Sequence, residues 1–167
     1  MKFFSHIIVF ALGATASAEN VQKRDASLFL DSLSGATADF IAADNAIVGI
    51  VSQLGTLRHF LQDKTHLMAN ATNLSENDSA TVMASLNPIT TSVRTTMDHF
   101  GQRRDVILQS SDCKAIQSEL VLTAVWGSLF FNILAEKVVP AVQGFAKLLA
   151  KDMQTRMTTQ ADAFKCS

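Results

Sequence analysis

Residues 33–61 read LSGATADFIAADNAIVGIVSQLGTLRHFL, and this stretch decides the fold. Large apolar side chains recur in it every seven residues, at Leu33, Phe40, Ile47, Leu54 and Leu61. A second apolar series lies three residues after each of the first four, at Ala36, Ala43, Ile50 and Leu57. Spacings of three and four residues put both series on one helical face, which predicts helix packed against a core.

Glycines interrupt this pattern at positions 35, 49 and 55. Because glycine weakens a helix, the stretch predicts two consecutive helices or one bent helix, with the break near Asp44 and the end near Ala69.

A second helical face follows, and we expect Asp78 or Ser79 to cap it. Its apolar positions are Val82, Leu86, Ile89, Val93, Met97 and Phe100. Pro88 must kink this helix or mark its true start. Residues 101–112 are mostly polar and are expected to be a frayed end and a connection.

Residues 120–135 carry no charge, and they are too few to span a bilayer comfortably. They predict the central helix of a bundle, whose surplus apolar surface would also wall a cavity. Pro140 opens a last helix, with an apolar stripe at Val142, Phe145, Leu149, Met153, Met157 and Phe164. The sequence therefore predicts an all-α fold, an antiparallel bundle of about five helices.

Two cysteines, Cys113 and Cys166, are expected to form one disulfide in an oxidising compartment. They flank the last two predicted helices, whose ends lie side by side in an antiparallel hairpin. Free or intermolecular thiols are the alternative.

The N-terminus predicts secretion. Lys2, an apolar run and Ala16-Ser17-Ala18 have the form of a signal peptide over residues 1–18. Residues 19–24 end in the dibasic pair Lys23-Arg24, which predicts a short propeptide and a single mature domain over residues 25–167. The alternative is that Lys23 and Arg24 are two solvated charges before the fold.

Three glycosylation sequons begin at Asn70, Asn73 and Asn77, which predicts an exposed connection over residues 70–79. The C-terminal residues 163–167 offer no apolar tail, so no GPI anchor is expected. We expect a secreted, extracellular glycoprotein that is at most loosely associated with a cell wall.

Charge and motifs exclude several functions. Removing Lys2, Lys23 and Arg24 from 14 basic residues and Glu19 from 15 acidic residues leaves 11 and 14. This mildly acidic balance does not favour nucleic acid or anionic membrane. No nucleophile, phosphate-loop or dinucleotide motif occurs, so no enzyme and no cofactor are expected. His59 and His66 are too far apart along a helix to share a metal ion.

The order of several segments resembles the fungal hydrophobic surface-binding protein A family, which includes the cell-wall galactomannoproteins. These segments are Lys23-Arg24, a long first helical region, Ser85-Leu86-Asn87-Pro88-Ile89 and Lys137-Val138-Val139-Pro140. The resemblance implies a secreted helical bundle that attaches to hydrophobic surfaces. In some members it recruits a polyester-degrading hydrolase, and in others it holds a fatty acid in a central cavity.

We therefore expect a non-enzymatic protein that binds a fatty acid, another lipid or a hydrophobic solid through an apolar cavity or face. The candidate ligand-lining residues are Phe40, Ile47, Val93, Met97, Phe100, Trp126, Phe130, Phe131, Phe145, Leu149 and Met153. Ordinary core packing is the alternative for each of them. Cations that would meet a carboxylate are Arg94, His99, Arg103 and Arg104, with solvated surface charge as the alternative. The rival function is a protein-interaction factor, an antigen or effector that docks a hydrolase or a host protein.

Overall fold

The described part of the chain consists of helices joined by short connections. The computed structural model describes residues 3–45 and 49–166, with side chains from residue 23 onward and at Val21. The side chains of the predicted signal peptide and residue Ile47 lie outside this description. The helices are α1 (Phe3–Asn45), α2 (Ile50–Ala69), α3 (Glu76–Ala84), α4 (Leu86–Gln102), α5 (Arg104–Gln109), α6 (Cys113–Lys137) and α7 (Pro140–Ala163). The predicted all-α bundle with one disulfide is confirmed.

The five long helices form a closed ring in the order α1, α2, α6, α7, α4 and back to α1. Helix α2 runs antiparallel to α1, since Gly35 lies against Phe60 while Thr72, just beyond α2, donates to Asp25. Helix α4 runs parallel to α1, because Thr96 donates to the Phe40 carbonyl and His99 contacts Asp44 one turn later. The apolar side chains meet inside this ring.

The heptad pattern of residues 33–61 is confirmed at seven of its eight described positions, and Ile50 is half-buried against the core. Its buried members are Leu33, Ala36, Phe40, Ala43, Leu54, Leu57 and Leu61. Helix α1 ends at Asn45, and Gly49 has a φ of 84° before α2 begins. A left-handed φ suits glycine, so the break lies where the glycine pattern predicts it.

Helix α6 contacts α2 on one side and α7 on the other. Arg58 on α2 and Glu119 on α6 form a half-buried ion pair at 2.9 Å. The helix has 25 residues, more than the charge-free run suggested. Among the helices whose side chains are described, it alone is long and apolar enough to cross a membrane, a property that it shares with core helices of soluble proteins.

The disulfide joins α6 and α7 as predicted. Cys113 begins α6, Cys166 follows α7, and their Cα atoms are 5.7 Å apart. Gln117 supports the same end of the hairpin by donating to the carbonyls of Ala161 and Phe164.

The predicted apolar stripe of α7 is wrong in its first half. Phe145 is 52% exposed and Leu149 is half-buried, whereas Ala146 and Ala150 are buried beside Met153. Alanine faces the core here because its small side chain lets α7 pack closely on α6. The periodicity favoured the larger residues and therefore placed the face one position too early.

The sequon segment is shorter than predicted. Ser75 caps α3 by accepting from the Asp78 N–H, so neither Asp78 nor Ser79 is the cap, and the helix already includes Asn77. Asn70, Asn73 and Asn77 are all exposed. Ser79 is fully buried and its hydroxyl accepts from the Val139 N–H, which ties α3 to the connection between α6 and α7.

Pro88 marks a helix start. The predicted single helix is divided at Ser85 into α3 and α4, and Pro88 is the third residue of α4. Proline has no N–H and disfavours helix before it, which explains the division. The expected connection over residues 101–112 contains the short helix α5, because Ile107 is buried in the core.

Candidate ligand-binding site

Most of the predicted ligand-lining residues lie inside the ring. The buried ones are Phe40, Val93, Met97, Phe100, Phe130, Phe131 and Met153. Trp126 is half-buried on the outer side of the contact between α2 and α6, where its ring lies 5.6 Å from that of His66. Phe145 is exposed on α7. The structure therefore brings seven of the candidates together and places Trp126 and Phe145 outside this group.

A narrow crevice leads from the surface towards the interior between α4 and α7. It is lined by Thr90, Val93, Phe131, Leu149, Asp152 and Met153, and we call it the seam crevice. Its volume of about 10 Å³ has room for roughly one water molecule. The interface between α4 and α7 is the smallest of the five in the ring. The seam crevice thus lies at the smallest helix–helix interface of the ring.

Met153 closes the inner end of the seam crevice against Gly127 on α6. A Cβ added to Gly127 would lie 2.6 Å from the Met153 Cε atom, which is closer than real side chains approach. The Met153 side chain can therefore occupy this space only because residue 127 is a glycine. A thioether side chain is flexible, so this contact is one that a guest molecule can rearrange.

A polar cleft adjoins the seam crevice and shares Asp152 with it. This cleft has a volume of about 350 Å³ and is lined by Met97, Asp98, Asp152, Thr155, Arg156, Thr159 and Gln160. Arg156 donates to Asp152 at 2.9 Å, and Arg94 lies 3.7 Å from the same carboxylate. The hydrogen bond to Asp152 raises the pKa of Arg156, so this guanidinium stays charged. An apolar passage and a polar cleft therefore meet at one carboxylate.

The predicted head-group cations differ in how firmly they are held. His99 contacts both oxygens of Asp44 at 2.7 and 2.8 Å, and Arg103 donates to the Asp44 carbonyl. Arg104 donates to the Ala163 carbonyl. Arg94 has only the long contact to Asp152, and its side chain is 55% exposed. Of the four, Arg94 is the one beside the seam crevice and the one most easily recruited by a new anion.

A larger and more open space, which we call the groove, lies on the opposite side of α4. It has a volume of about 610 Å³ and is lined by Leu30, Leu33, Ser34, Thr37, Ala38, Ile41, Ala84, Ser85 and Pro88. None of these residues lines the seam crevice, and none was a predicted ligand contact. Only two of these residues had a predicted structural role, Leu33 as a core position and Pro88 as a residue that disturbs its helix.

One buried polar atom in the interior lacks a partner. Thr123 on α6 is fully buried, and among the buried side chains that the structure describes its Oγ1 is the one atom without a hydrogen bond. Buried threonines on other helices donate to a backbone carbonyl, as Thr65 does to Leu61. Buried polar groups are seldom left unpaired, so this hydroxyl marks a place for a further polar atom.

The outer face of α6 is apolar. Val121, Leu122, Val125 and Leu129 are between 40% and 45% exposed. Their spacing of three and four residues puts them on one stripe along the helix, which we call the α6 stripe. The uncharged run that was expected to wall a cavity therefore also presents apolar surface to solvent.

This architecture is similar to that of several proteins of known structure. The chain matches no protein-family model and no curated protein sequence. It resembles AFMP4P, solved in complex with palmitic acid, with a TM-score of 0.77 and 15% identity over 84% of this chain and 99% of that chain.

Two domains of the Penicillium marneffei MP1 protein are also similar. Ligand binding domain 2, complexed with multiple arachidonic acids, has a TM-score of 0.73 and 12% identity over 83% of this chain and 93% of that chain. Ligand binding domain 1, complexed with arachidonic acids, has a TM-score of 0.70 and 12% identity over 87% and 97%. The chain therefore has the fold of proteins that were solved with fatty acids bound.

Proposed function

We propose that this protein is a non-enzymatic carrier of long-chain fatty acids, with the carboxylate in the polar cleft and the acyl chain in the ring interior. One observation carries the proposal. In a fold shared with fatty-acid complexes, the contact between α4 and α7 presents a polar cleft directly beside an apolar crevice that reaches Phe131. An amphiphile has the same order of polar and apolar parts.

The interior suits an acyl chain because the side chains buried there are mostly apolar. Each methylene transferred from water contributes about 0.8 kcal/mol, so a long chain needs few polar contacts. The chain would take the place of Met153 against Gly127, and the flexible methionines Met97 and Met157 let the neighbouring core adjust.

Helix α4 is the wall that would move to admit the ligand. The disulfide holds α7 to α6, whereas α4 meets α7 through the smallest interface of the ring. Separation at this seam exposes Val93 and Met153 without breaking a covalent link. The ligand carboxylate would then compete with Asp152 for Arg94, whose present contact is long.

Thr123 supports an interior guest as well. A buried hydroxyl without a partner costs about 1–3 kcal/mol. A water molecule that accompanies the ligand, or a polar atom of the ligand itself, would satisfy it.

The proposal includes secretion and membership of the hydrophobic surface-binding protein A family. Among the side chains of α1 that the structure describes, Asp25 and Ala26 are the first buried ones, whereas Lys23 and Arg24 are exposed and Val21 is half-buried. The Asp25 carboxylate accepts from the Thr72 N–H at 2.9 Å and from its hydroxyl at 2.6 Å. Burial alone would raise the pKa of Asp25, but these hydrogen bonds together with the charges of Arg24 and Lys137 outweigh it and lower the pKa. These contacts put residue 25 inside the packed domain, as processing after Arg24 would require.

The α6 stripe favours a second candidate function, adsorption to an apolar solid. Four exposed apolar residues on a charge-free face offer a contact to a flat surface that needs no opening of the ring. Replacing Val125 and Leu129 by serine should then abolish adsorption to polystyrene beads and leave fatty-acid binding unchanged. Adsorption that survives these replacements would eliminate the α6 stripe as the contact.

The proposed function is tested by native mass spectrometry of the deglycosylated protein with palmitic acid. Thr90 lies half-buried at the mouth of the seam crevice, so Thr90→Trp covers it, while Thr91→Trp on the exposed side of α4 is the matched control. We expect Thr90→Trp to carry one palmitic acid fewer than wild type and Thr91→Trp to carry the same number. Wild type without any adduct at saturating palmitic acid would contradict the proposal.

A further inference from the structure

The groove between α1 and the junction of α3 and α4 has no role in the proposed function. Its first wall is a stripe of α1 from Leu30 to Ile41, and its second wall is Ala84, Ser85 and Pro88. The helix division at Ser85 lies on this second wall. Small side chains on both walls then leave a space open where larger ones would fill it.

The lining of the groove is uncharged and its hydroxyl groups are mostly engaged. Thr37 donates to the Leu33 carbonyl, and Ser85 donates to the Thr81 carbonyl. These two hydroxyls thus bond to carbonyls four residues earlier, and Ser34 supplies the third hydroxyl of the lining. Ile41 is 49% exposed here, so apolar surface is left to water in the described structure.

Dimensions decide what kind of molecule fits. The stripe from Leu30 to Ile41 is about 16 Å long, at 1.5 Å per helical residue. The volume of about 610 Å³ counts positions open to the centre of a water molecule, and over that length it gives a mean cross-section of about 40 Å², or about 6 Å. With a water radius of about 1.4 Å added on each side, the groove is about 9 Å across. An α-helix with its side chains is about 10–12 Å across and is too wide. A single extended hydrocarbon chain fits.

The groove is separate from the ring interior. Leu33 forms its floor and is only 2% exposed, so a packed core side chain lies between the two spaces. The polar cleft with Arg156, and Arg94 beside its Asp152, lie on the other side of α4. A ligand in the groove therefore meets neither guanidinium.

We propose that the groove is a second lipid site, which binds one acyl chain by apolar contact alone and leaves the head group in solvent. This inference rests on the proposed function for its ligand class. Because no cation lines the groove, it should take palmitic acid and 1-hexadecanol about equally well. The site beside Arg94 should prefer the acid.

The test counts bound radiolabelled palmitic acid per chain by equilibrium dialysis. Ile41→Asp puts a charge in the groove at a position that is already half exposed, so the fold should tolerate it. Leu67→Asp is the matched control, because Leu67 is 52% exposed on α2 and does not line the groove. We expect two palmitic acids for wild type and for Leu67→Asp, and one for Ile41→Asp.

The possible failures are distinguishable. Wild type that binds one palmitic acid, with no change in Ile41→Asp, would overturn the groove and leave the proposed function standing. One palmitic acid that is lost in Ile41→Asp would support the groove and overturn the interior site. No binding at all would overturn both. A dimer that dissociates in Ile41→Asp without any change in palmitic acid would show that a second copy covers the groove, which also overturns the inference.

Discussion

The seam crevice and the groove lie on opposite sides of α4 and are built differently. The seam crevice has about 10 Å³ of space, reaches the core at Phe131 and adjoins charged residues. The groove has about 610 Å³, lies over a packed floor and has no charge. Binding in the seam crevice requires the protein to open, but the charged residues there can distinguish lipids by their head groups. The groove is open already and can distinguish lipids only by the shape and apolarity of the acyl chain.

Removal of the disulfide should have the largest effect, because it changes the stability of the protein and one wall of the seam crevice but not the groove. Cys113→Ser together with Cys166→Ser frees α7, the outer wall of the seam crevice, and leaves the groove untouched. We expect the free energy of unfolding to fall by about 4 kcal/mol, from the entropy of the opened loop. Urea denaturation measures it. A loss below about 1 kcal/mol would mean that packing alone holds α7 in place.

Met153→Ala should weaken the fold and widen the seam crevice. Removing a buried methionine costs about 3 kcal/mol. Palmitic acid should also associate faster, because the side chain against Gly127 no longer has to move. Met157→Ala, equally buried but absent from the seam crevice, is the control that should lose stability without faster association in stopped-flow measurements. Equal association rates for both variants would contradict a role of Met153 as the closing residue.

Arg94→Gln should separate the two sites by head group. The seam site should lose about tenfold in affinity for palmitic acid, equivalent to about 1.4 kcal/mol, while the groove is unaffected. Lys147→Gln, an exposed cation of α7 outside both spaces, is the control. Titration calorimetry with palmitic acid and with 1-hexadecanol measures the difference. An equal loss for the acid and the alcohol would exclude a charge contact at Arg94.

Thr123→Val should stabilise the ligand-free protein by about 1 kcal/mol, since it removes the unpaired hydroxyl from the interior at nearly constant shape. Thr65→Val is the contrasting variant, because Thr65 has a hydrogen bond to lose. Thermal unfolding followed by circular dichroism compares them. If Thr123→Val is destabilised as much as Thr65→Val, the Thr123 hydroxyl has a partner in solution.

Asp39→Asn should give the smallest effect. Burial raises the pKa of Asp39 above its ordinary value of 3.8, so the folded protein disfavours the charged form. The variant should therefore be slightly more stable than wild type at neutral pH. The advantage should shrink as the pH falls through the folded pKa and vanish below about 3.8, where both states are protonated. Urea denaturation at pH 7 and pH 3 tests this sign, and an advantage at pH 3 alone would refute it.

The sequence predicts the ring well because large apolar residues at helical spacing have few alternatives to a core. It fails where small residues decide the packing. Ala146 and Ala150 are buried while Phe145 is exposed, and the periodicity of large side chains gives no warning of this. The cap of α3 at Ser75 was missed because several residues in the sequon segment can cap a helix.

The two candidate sites depend on contacts between distant segments. The groove is lined by small residues such as Ala38 and Ala84, which are far apart in the sequence and come together only in the folded protein. The polar cleft needs Asp98 on α4 and Arg156 on α7 to face each other. A single sequence gives the helical faces but not the order in which the helices surround the core, so it predicted interior residues such as Phe131 and Met153 and missed the cleft beside them.

A crystal structure of the protein grown with saturating palmitic acid tests the central claim most directly. We predict electron density for a fatty acid whose carboxylate lies at the guanidinium of Arg94 and whose acyl chain runs to Phe131, with Met153 displaced from Gly127. An interior without ligand density, in which Met153 still packs against Gly127, would contradict the claim.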